Sequence, residues 1–195
     1  MRWILVLLLL WTSACSDDDL VGLHIDLRED GSGTLTARSL KATNGPGPTE
    51  AAAHGMQWLD RVNLSSSQGS FQDLSKVDFG NGEVRFAVSE NKDMPHLRVT
   101  IQRGPELSWV QSLVPIDGEV RRKLARVHDP SGKTKEVADT IHIEVQLPDA
   151  VVSSGITPAG RGIEASHERN RAYVLLPVQG LLQPGDELVW DISWK

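Results

Sequence analysis

Apolar and polar residues alternate with a period of two along much of the chain. Val21, Leu23, Ile25 and Leu27 alternate with Gly22, His24, Asp26 and Arg28. The run turns at Asp30-Gly31-Ser32-Gly33 and resumes over residues 34–39. An Asp-Gly pair between two such runs predicts a hairpin, because Gly accepts the positive φ that the turn needs. The same alternation recurs at Val84, Phe86 and Val88, and at Leu97, Val99 and Ile101. It returns at Ile141, Ile143, Val145 and Leu147, over residues 172–178, and at Leu188, Trp190, Ile192 and Trp194. Strands with one buried and one solvated face carry this pattern, and they pair antiparallel.

Three segments change period and predict helices. Residues 49–62 follow Pro48 and place Ala52, Met56, Leu59 and Val62 on one stripe. Residues 105–114 are shorter, with Pro105 in the first turn and Leu107, Val110 and Leu113 together. Residues 117–127 start at Asp117, a capping residue, and put Val120, Leu124 and Val127 opposite Arg121, Arg122 and Lys123. Loops are expected at 42–48, 65–70 and 129–135, which are rich in Gly, Pro and Ser or in charge. With no repeat and no shift of composition, residues 20–195 read as one α+β domain. Its expected architecture is an antiparallel sheet of about six to eight strands with two or three helices on one face.

The N-terminus stands apart from this domain. Met1-Arg2 is a minimal positive start, residues 3–11 (WILVLLLLW) are wholly apolar, and Thr12-Ser13-Ala14 are small. Nine helical residues rise about 14 Å, against a hydrocarbon core of roughly 30 Å, so residues 1–14 read as a secretory signal and not as a span. Cys15 is the only cysteine, so an exported chain has no internal disulfide to place it in. Its position resembles the bacterial lipobox, in which cleavage precedes a Cys bearing a diacylglyceryl group. Thr12 stands where that pattern usually has Leu, and plain cleavage after Ala14 would instead leave a free thiol. In proteobacterial lipoproteins an Asp directly after the lipidated Cys goes with inner-membrane retention; Ser16 stands there in this chain, so the resemblance implies the outer membrane where the host has one.

Residues 15–19 form an acidic tether that reaches roughly 13 Å to Leu20. The processed chain has 19 Lys and Arg against 26 Asp and Glu, a net charge of −7. That balance argues against a nucleic-acid partner, which would require a basic face.

Few motifs suggest chemistry. Gly132-Lys133-Thr134 lacks the Gly that a phosphate loop has five residues earlier, where Val127 stands. His142-x-Glu144 resembles the start of a zinc deaminase site, but a chain with one cysteine cannot supply the pair that completes it. The histidines (24, 54, 96, 128, 142 and 167) form no HxH or HxxxH pair, so no metal ligand set is expected. His24 and His142 fall on solvated strand faces and would meet if their strands were neighbours. No cofactor motif and no G-x-S-x-G elbow occur. Six Trp against three Phe and one Tyr is unusual, and Trp58, Trp109, Trp190 and Trp194 belong to the domain. They either line a hydrophobic ligand pocket or fill the core in place of Phe and Tyr.

Three stretches resemble the LppM-type bacterial lipoprotein family. One is His24-Ile25-Asp26-Leu27-Arg28-Glu29-Asp30-Gly31-Ser32-Gly33-Thr34 after the lipid cysteine, and another is Gly69-Ser70-Phe71-Gln72-Asp73-Leu74. The third is Ile143-Glu144-Val145-Gln146-Leu147-Pro148-Asp149-Ala150-Val151-Val152-Ser153-Ser154, with Asp149 where Gly is usual. The resemblance implies a lipid-anchored domain associated with lipid binding. The mycobacterial type also carries a C-terminal membrane segment, which is not expected after Trp194-Lys195.

The expectation is therefore a non-enzymatic protein, tethered to the cell envelope through Cys15, that holds a lipid, glycolipid or other hydrophobic ligand in a sheet–helix crevice. An alternative is a protein that binds an envelope partner through a sheet face or an edge strand. A third is a hydrolase without a recognisable motif, which would show clustered titratable groups of shifted pKa in a cleft.

Overall fold

A computed structural model of the chain describes residues 21–42, 62–89, 94–128, 139–160 and 162–195. The leader, Cys15, the tether, Trp58, His54, the Gly132-Lys133-Thr134 stretch and the helix expected over 49–62, apart from Val62, lie outside the described residues.

Among the described residues, ten strands form two sheets. The first sheet holds β1 (Gly22–Leu27), β2 (Gly33–Ala42), β3 (Val62–Phe71), β6 (Thr140–Gln146), β8 (Glu164–Glu168) and β9 (Arg171–Pro177), in the order β3-β2-β1-β6-β9-β8. The second holds β4 (Val84–Ser89), β5 (His96–Ile101), β7 (Val151–Thr157) and β10 (Leu188–Trp194), in the order β4-β5-β10-β7. Among the described residues three short α-helices, α1 (Ser108–Leu113), α2 (Gly118–His128) and α3 (Val178–Leu181), accompany a 3-10 turn over Leu74–Lys76. The class is α+β with sheets dominant, but two sheets replace the single one expected. Alternation tells which face of a strand is buried and leaves the pairing open. Two sheets facing each other bury both inner faces without a full layer of helices.

The predicted hairpin of β1 and β2 forms with Leu23 opposite Ala37 and Ile25 opposite Leu35. Gly31 takes φ +78°, and the Asp30 carboxylate accepts from the backbone N and the Oγ of Ser32, at 3.0 and 2.6 Å. β1 also pairs with β6, and this pair is parallel, with Gly22 beside His142 and His24 beside Glu144. A Cβ on Gly22 would collide with the His142 carbonyl, so only glycine allows the two backbones to approach so closely here. The inner faces bring Leu23, Ile25, Ile143, Val145 and Val174 of the first sheet into one core with Leu97, Val99, Leu188, Trp190 and Ile192 of the second.

Several expectations are corrected. Residues 65–70, expected as a loop, lie inside β3, whose ten residues pair in unbroken register along β2. Ser and Gly in succession signal a loop locally, yet a neighbouring strand with free backbone groups recruits them regardless. β7 and β8 carry no clean alternation and were not anticipated as separate strands.

The helix expected over 105–114 narrows to α1. The Glu83 carboxylate accepts from Ser108 N, Ser108 Oγ and Trp109 N at 3.1, 2.9 and 2.9 Å, and so caps the helix from a distant loop. Asp117 caps α2 as expected, accepting from Glu119 N and Val120 N at 2.8 and 3.0 Å.

Among the described side chains of α2, which leave out Val127, two differ from expectation: Val120 is 44% exposed while Arg121 is 2% exposed. Arg121 and Leu124, three apart, form the buried stripe. The guanidinium is tolerated there because Nη1 donates to the Pro115 and Ile116 carbonyls (3.3 and 3.2 Å) and Nε to Asp139 (3.2 Å). The strand expected over 172–178 ends at Pro177, and Val178 opens α3.

Candidate functional site

The tryptophans are dispersed. Trp109 of α1 is fully buried, meets Phe79 edge to face at 6.4 Å, and packs where a Cβ on Gly80 would intrude. Trp190 of β10 is fully buried and donates its indole N–H to Ser154 Oγ at 2.9 Å. Trp194, four residues on, is 5% exposed. Of these three, Trp194 alone lines an open cleft of about 760 Å³ at one end of the two sheets.

Leu27, Val88, Pro95 and Pro148 line that cleft with Trp194, and so do Arg28, Glu29, Asp30, Asp73 and Asp149. Two of the carboxylates are committed to their own turns. Asp30 is held by Ser32, and Asp73 accepts from Ser75 N and Oγ at 3.0 and 2.6 Å, with Lys76 Nζ 3.1 Å away. The hydroxyls of Ser32 and Ser75 first, then their backbone amides among the smaller causes, hold both carboxyls below the usual range. They stay ionised and stabilise the turns at 30–32 and 73–75.

A second feature lies along β3, at the margin of the first sheet. Ser66, Ser67, Gln68, Gly69 and Ser70 are exposed, and β3 has no strand on its far side among the described residues. Its inner-face positions follow from the register: Ser67 lies opposite Ala37 and Gly69 opposite Leu35. Residues this small leave the core unfinished. Leu35, Ala37, Val77 and Phe79 remain half-buried and border a groove of about 320 Å³ beneath β3, with Phe71 at its end and Asp78 at its rim. Asp78 Oδ1 is engaged with the backbone N of Gly82 at 2.7 Å. No sequence signal marked this groove, because its defining residues are small and polar.

The outer face of the first sheet brings His24 and His142 onto adjacent strands, an adjacency that alternation had left open, with His24 beside Glu144 and His142 beside Gly22. His24 Nδ1 is 3.6 Å from Glu144 Oε1, Arg171 Nη1 lies equally far from it, and His142 meets Tyr173 edge to face at 5.9 Å. On the outer face of the second sheet, Arg98 grips Asp191 through Nε and Nη2 at 2.7 and 3.2 Å, with His96 Nε2 at 3.0 Å. Among the described residues no three metal-ligating side chains converge, and no helix is long and apolar enough to cross a membrane.

Compared with known proteins, the chain matches no family model, no curated protein and no solved structure.

Proposed function

We propose that this chain is an exported, non-enzymatic binding protein of the cell envelope, anchored through a lipid on Cys15, and that it engages a polypeptide partner at the β3 margin. The observation that supports this reading is the β3 margin, which has no strand on its far side among the described residues and whose residues 66–70 are exposed beside half-buried apolar side chains. Unpaired strand edges are sticky, and proteins ordinarily blunt them with charge, proline, bulges or a cover. Nothing in residues 62–71 is charged or proline. The leader pattern supports export, the lone cysteine supports the anchor, and Ser16 favours the outer membrane where there is one.

The test places a photo-crosslinking residue at Gln68 of the full chain in living cells. A discrete polypeptide adduct is expected; label found only on lipid, or no adduct, would overturn the reading. Mass spectrometry of Cys15 checks the anchor, and an unmodified thiol would remove it.

A second reading is favoured by the cleft beside Trp194, whose volume and mixed lining, with Leu27, Val88 and Pro95 beside polar groups, suit an amphiphile such as a lipid or glycolipid. An amphiphile that co-purifies with the chain and is lost on substitution of Val88 by Asp would support that reading.

A further inference from the structure

We infer that Asn81-Gly82 is a hydrolytic modification site, at which the Asn81 carboxamide loses ammonia through attack by the Gly82 backbone nitrogen, at a rate held down by Asp78. The inference is independent of the binding roles proposed above. It rests on one turn, residues 78–83, that leads from the 3-10 turn into β4. Asn81 is exposed there, and Gly82 has no Cβ to hinder the approach of its nitrogen. That nitrogen bonds to the side-chain carbonyl carbon, a five-membered imide closes, and the carboxamide nitrogen leaves as ammonia. Water then adds to either imide carbonyl and opens the ring. One product is an ordinary aspartyl residue. The other is a β-aspartyl link, with one methylene more in the backbone. Water is the only co-reactant.

The turn restrains this reaction. Gly80, Asn81 and Gly82 take φ of +68°, +54° and +79°, three left-handed residues in succession. Asn is among the few residues besides glycine that enter this region readily, which accounts for its place in the middle. The Gly82 N–H donates to Asp78 Oδ1 at 2.7 Å. An amide nitrogen becomes a nucleophile only as it gives up its proton. Donation to a carboxylate favours the protonated form, and the carboxylate charge opposes the anion that would replace it. The turn must release Gly82 before the ring can close.

Position gives the product a consequence. Two residues on, the Glu83 carboxylate caps α1 through Ser108 N, Ser108 Oγ and Trp109 N. One residue before, Gly80 packs so closely on α1 that an added Cβ would stand 2.5 Å from the Trp109 Cβ. A β-aspartyl link lengthens the backbone between these two contacts. Either product also adds a negative charge within three residues of both Asp78 and Glu83, and like charges repel. Conversion of Asn81 therefore loosens the cap on α1.

The test ages the purified full-length chain at mildly alkaline pH beside a synthetic peptide of residues 77–85, which carries the same pair without the turn. Trypsin cuts after Lys76 and Arg85, so mass gain and β-aspartyl content are read on 77–85 and apart from the Asn44-Gly45 pair. Conversion of Asn81 should be about tenfold or more slower in the folded chain than in the peptide. Asp78→Ala should speed it in the folded chain roughly two- to tenfold, as expected for loss of one hydrogen bond at an exposed site. In the converted fraction, amide exchange at Ser108 and Trp109 should rise.

Asp78→Asn keeps an acceptor oxygen and drops the charge, so its rate should fall between those of the parent and Asp78→Ala; it also serves should Asp78→Ala fold poorly. Ser154→Ala weakens the core at β7, across the second sheet from β4, and should leave the rate at Asn81 unchanged. Three results would overturn the inference: conversion as fast in the folded chain as in the peptide, no acceleration in either Asp78 variant, or equal acceleration by Ser154→Ala. Unchanged exchange at Ser108 and Trp109 in the converted fraction would remove the consequence for α1.

Discussion

Replacing Arg121 by Ala tests what holds α2 in place. The side chain is 2% exposed, and its three methylenes are withdrawn from water with it. At about 0.8 kcal/mol per buried methylene, the stem contributes roughly 2 kcal/mol. Nη1 also donates to the Pro115 and Ile116 carbonyls, worth about 1 kcal/mol apiece. The partner Asp139 is 56% exposed, so the ion pair itself adds little, below about 1 kcal/mol. Arg121→Ala should therefore cost about 4 kcal/mol and lower Tm by roughly 8–16 °C. Arg121→Met keeps the stem and should lose only about half of that, while Asp139→Asn should be nearly silent. Urea unfolding of the three variants at neutral pH, with the slope compared to confirm an unchanged transition, separates the contributions. The reasoning fails if Asp139→Asn costs as much as Arg121→Ala, because charge pairing would then dominate over packing and the carbonyl bonds.

Three further expectations follow from the geometry. Gly22→Ala should destabilise the domain by at least about 2 kcal/mol in urea melts, since the new Cβ meets backbone at His142 and not a movable side chain. Ser154→Ala leaves the fully buried Trp190 indole N–H without its acceptor and should cost about 1–3 kcal/mol by the same measurement. Hydrogen bonding from Arg98 chiefly holds the Asp191 carboxyl below its usual range, so its stabilisation is present above the unfolded-state pKa and is lost as acid titrates the folded carboxylate. Asp191→Asn should flatten the fall in Tm below about pH 4 while changing Tm little at neutral pH, because the pair is half-exposed.

The legible parts of the fold were those where a strand buries one face of ordinary apolar residues. β1, β4, β5, β6, β9 and β10 all show this, and so does the turn at Gly31, where a backbone need selects the residue type. Pairing was not legible. The parallel contact of β1 with β6 joins residues more than a hundred positions apart and depends on Gly22 permitting the approach, which no local pattern announces. α2 misled because Val120 and Leu124 suit one stripe as well as Arg121 and Leu124 do. The choice went to the long cationic side chain whose head could reach the loop carbonyls at 115 and 116. The groove under β3 was the least legible feature. Periodicity finds residues that bury themselves, whereas this surface exists because Ser67 and Gly69 do not cover their neighbours. Of the four tryptophans singled out, Trp194 reaches a cleft, Trp109 and Trp190 fill the interior, and Trp58 lies outside the described residues.

The two binding readings make opposite demands on orientation. β1 and β3 both pair antiparallel with β2, so they run in the same direction. The Gly22 and Val62 ends therefore lie together, and the 28–31 turn, Phe71 and the Trp194 cleft lie at the other end. With Cys15 as a lipid anchor, the short tether holds the Gly22 end toward the bilayer. An acyl ligand drawn from that bilayer would have to travel the length of β1, about 17–20 Å for six residues, before it met the cleft. A polypeptide that binds at the β3 margin meets no such obstacle. β3 runs about 30 Å between the same two ends, and its exposed residues 66–70 lie along the side of the sheet. Tethering close to the membrane thus favours the lateral margin over the distal cleft as the surface that a partner meets first.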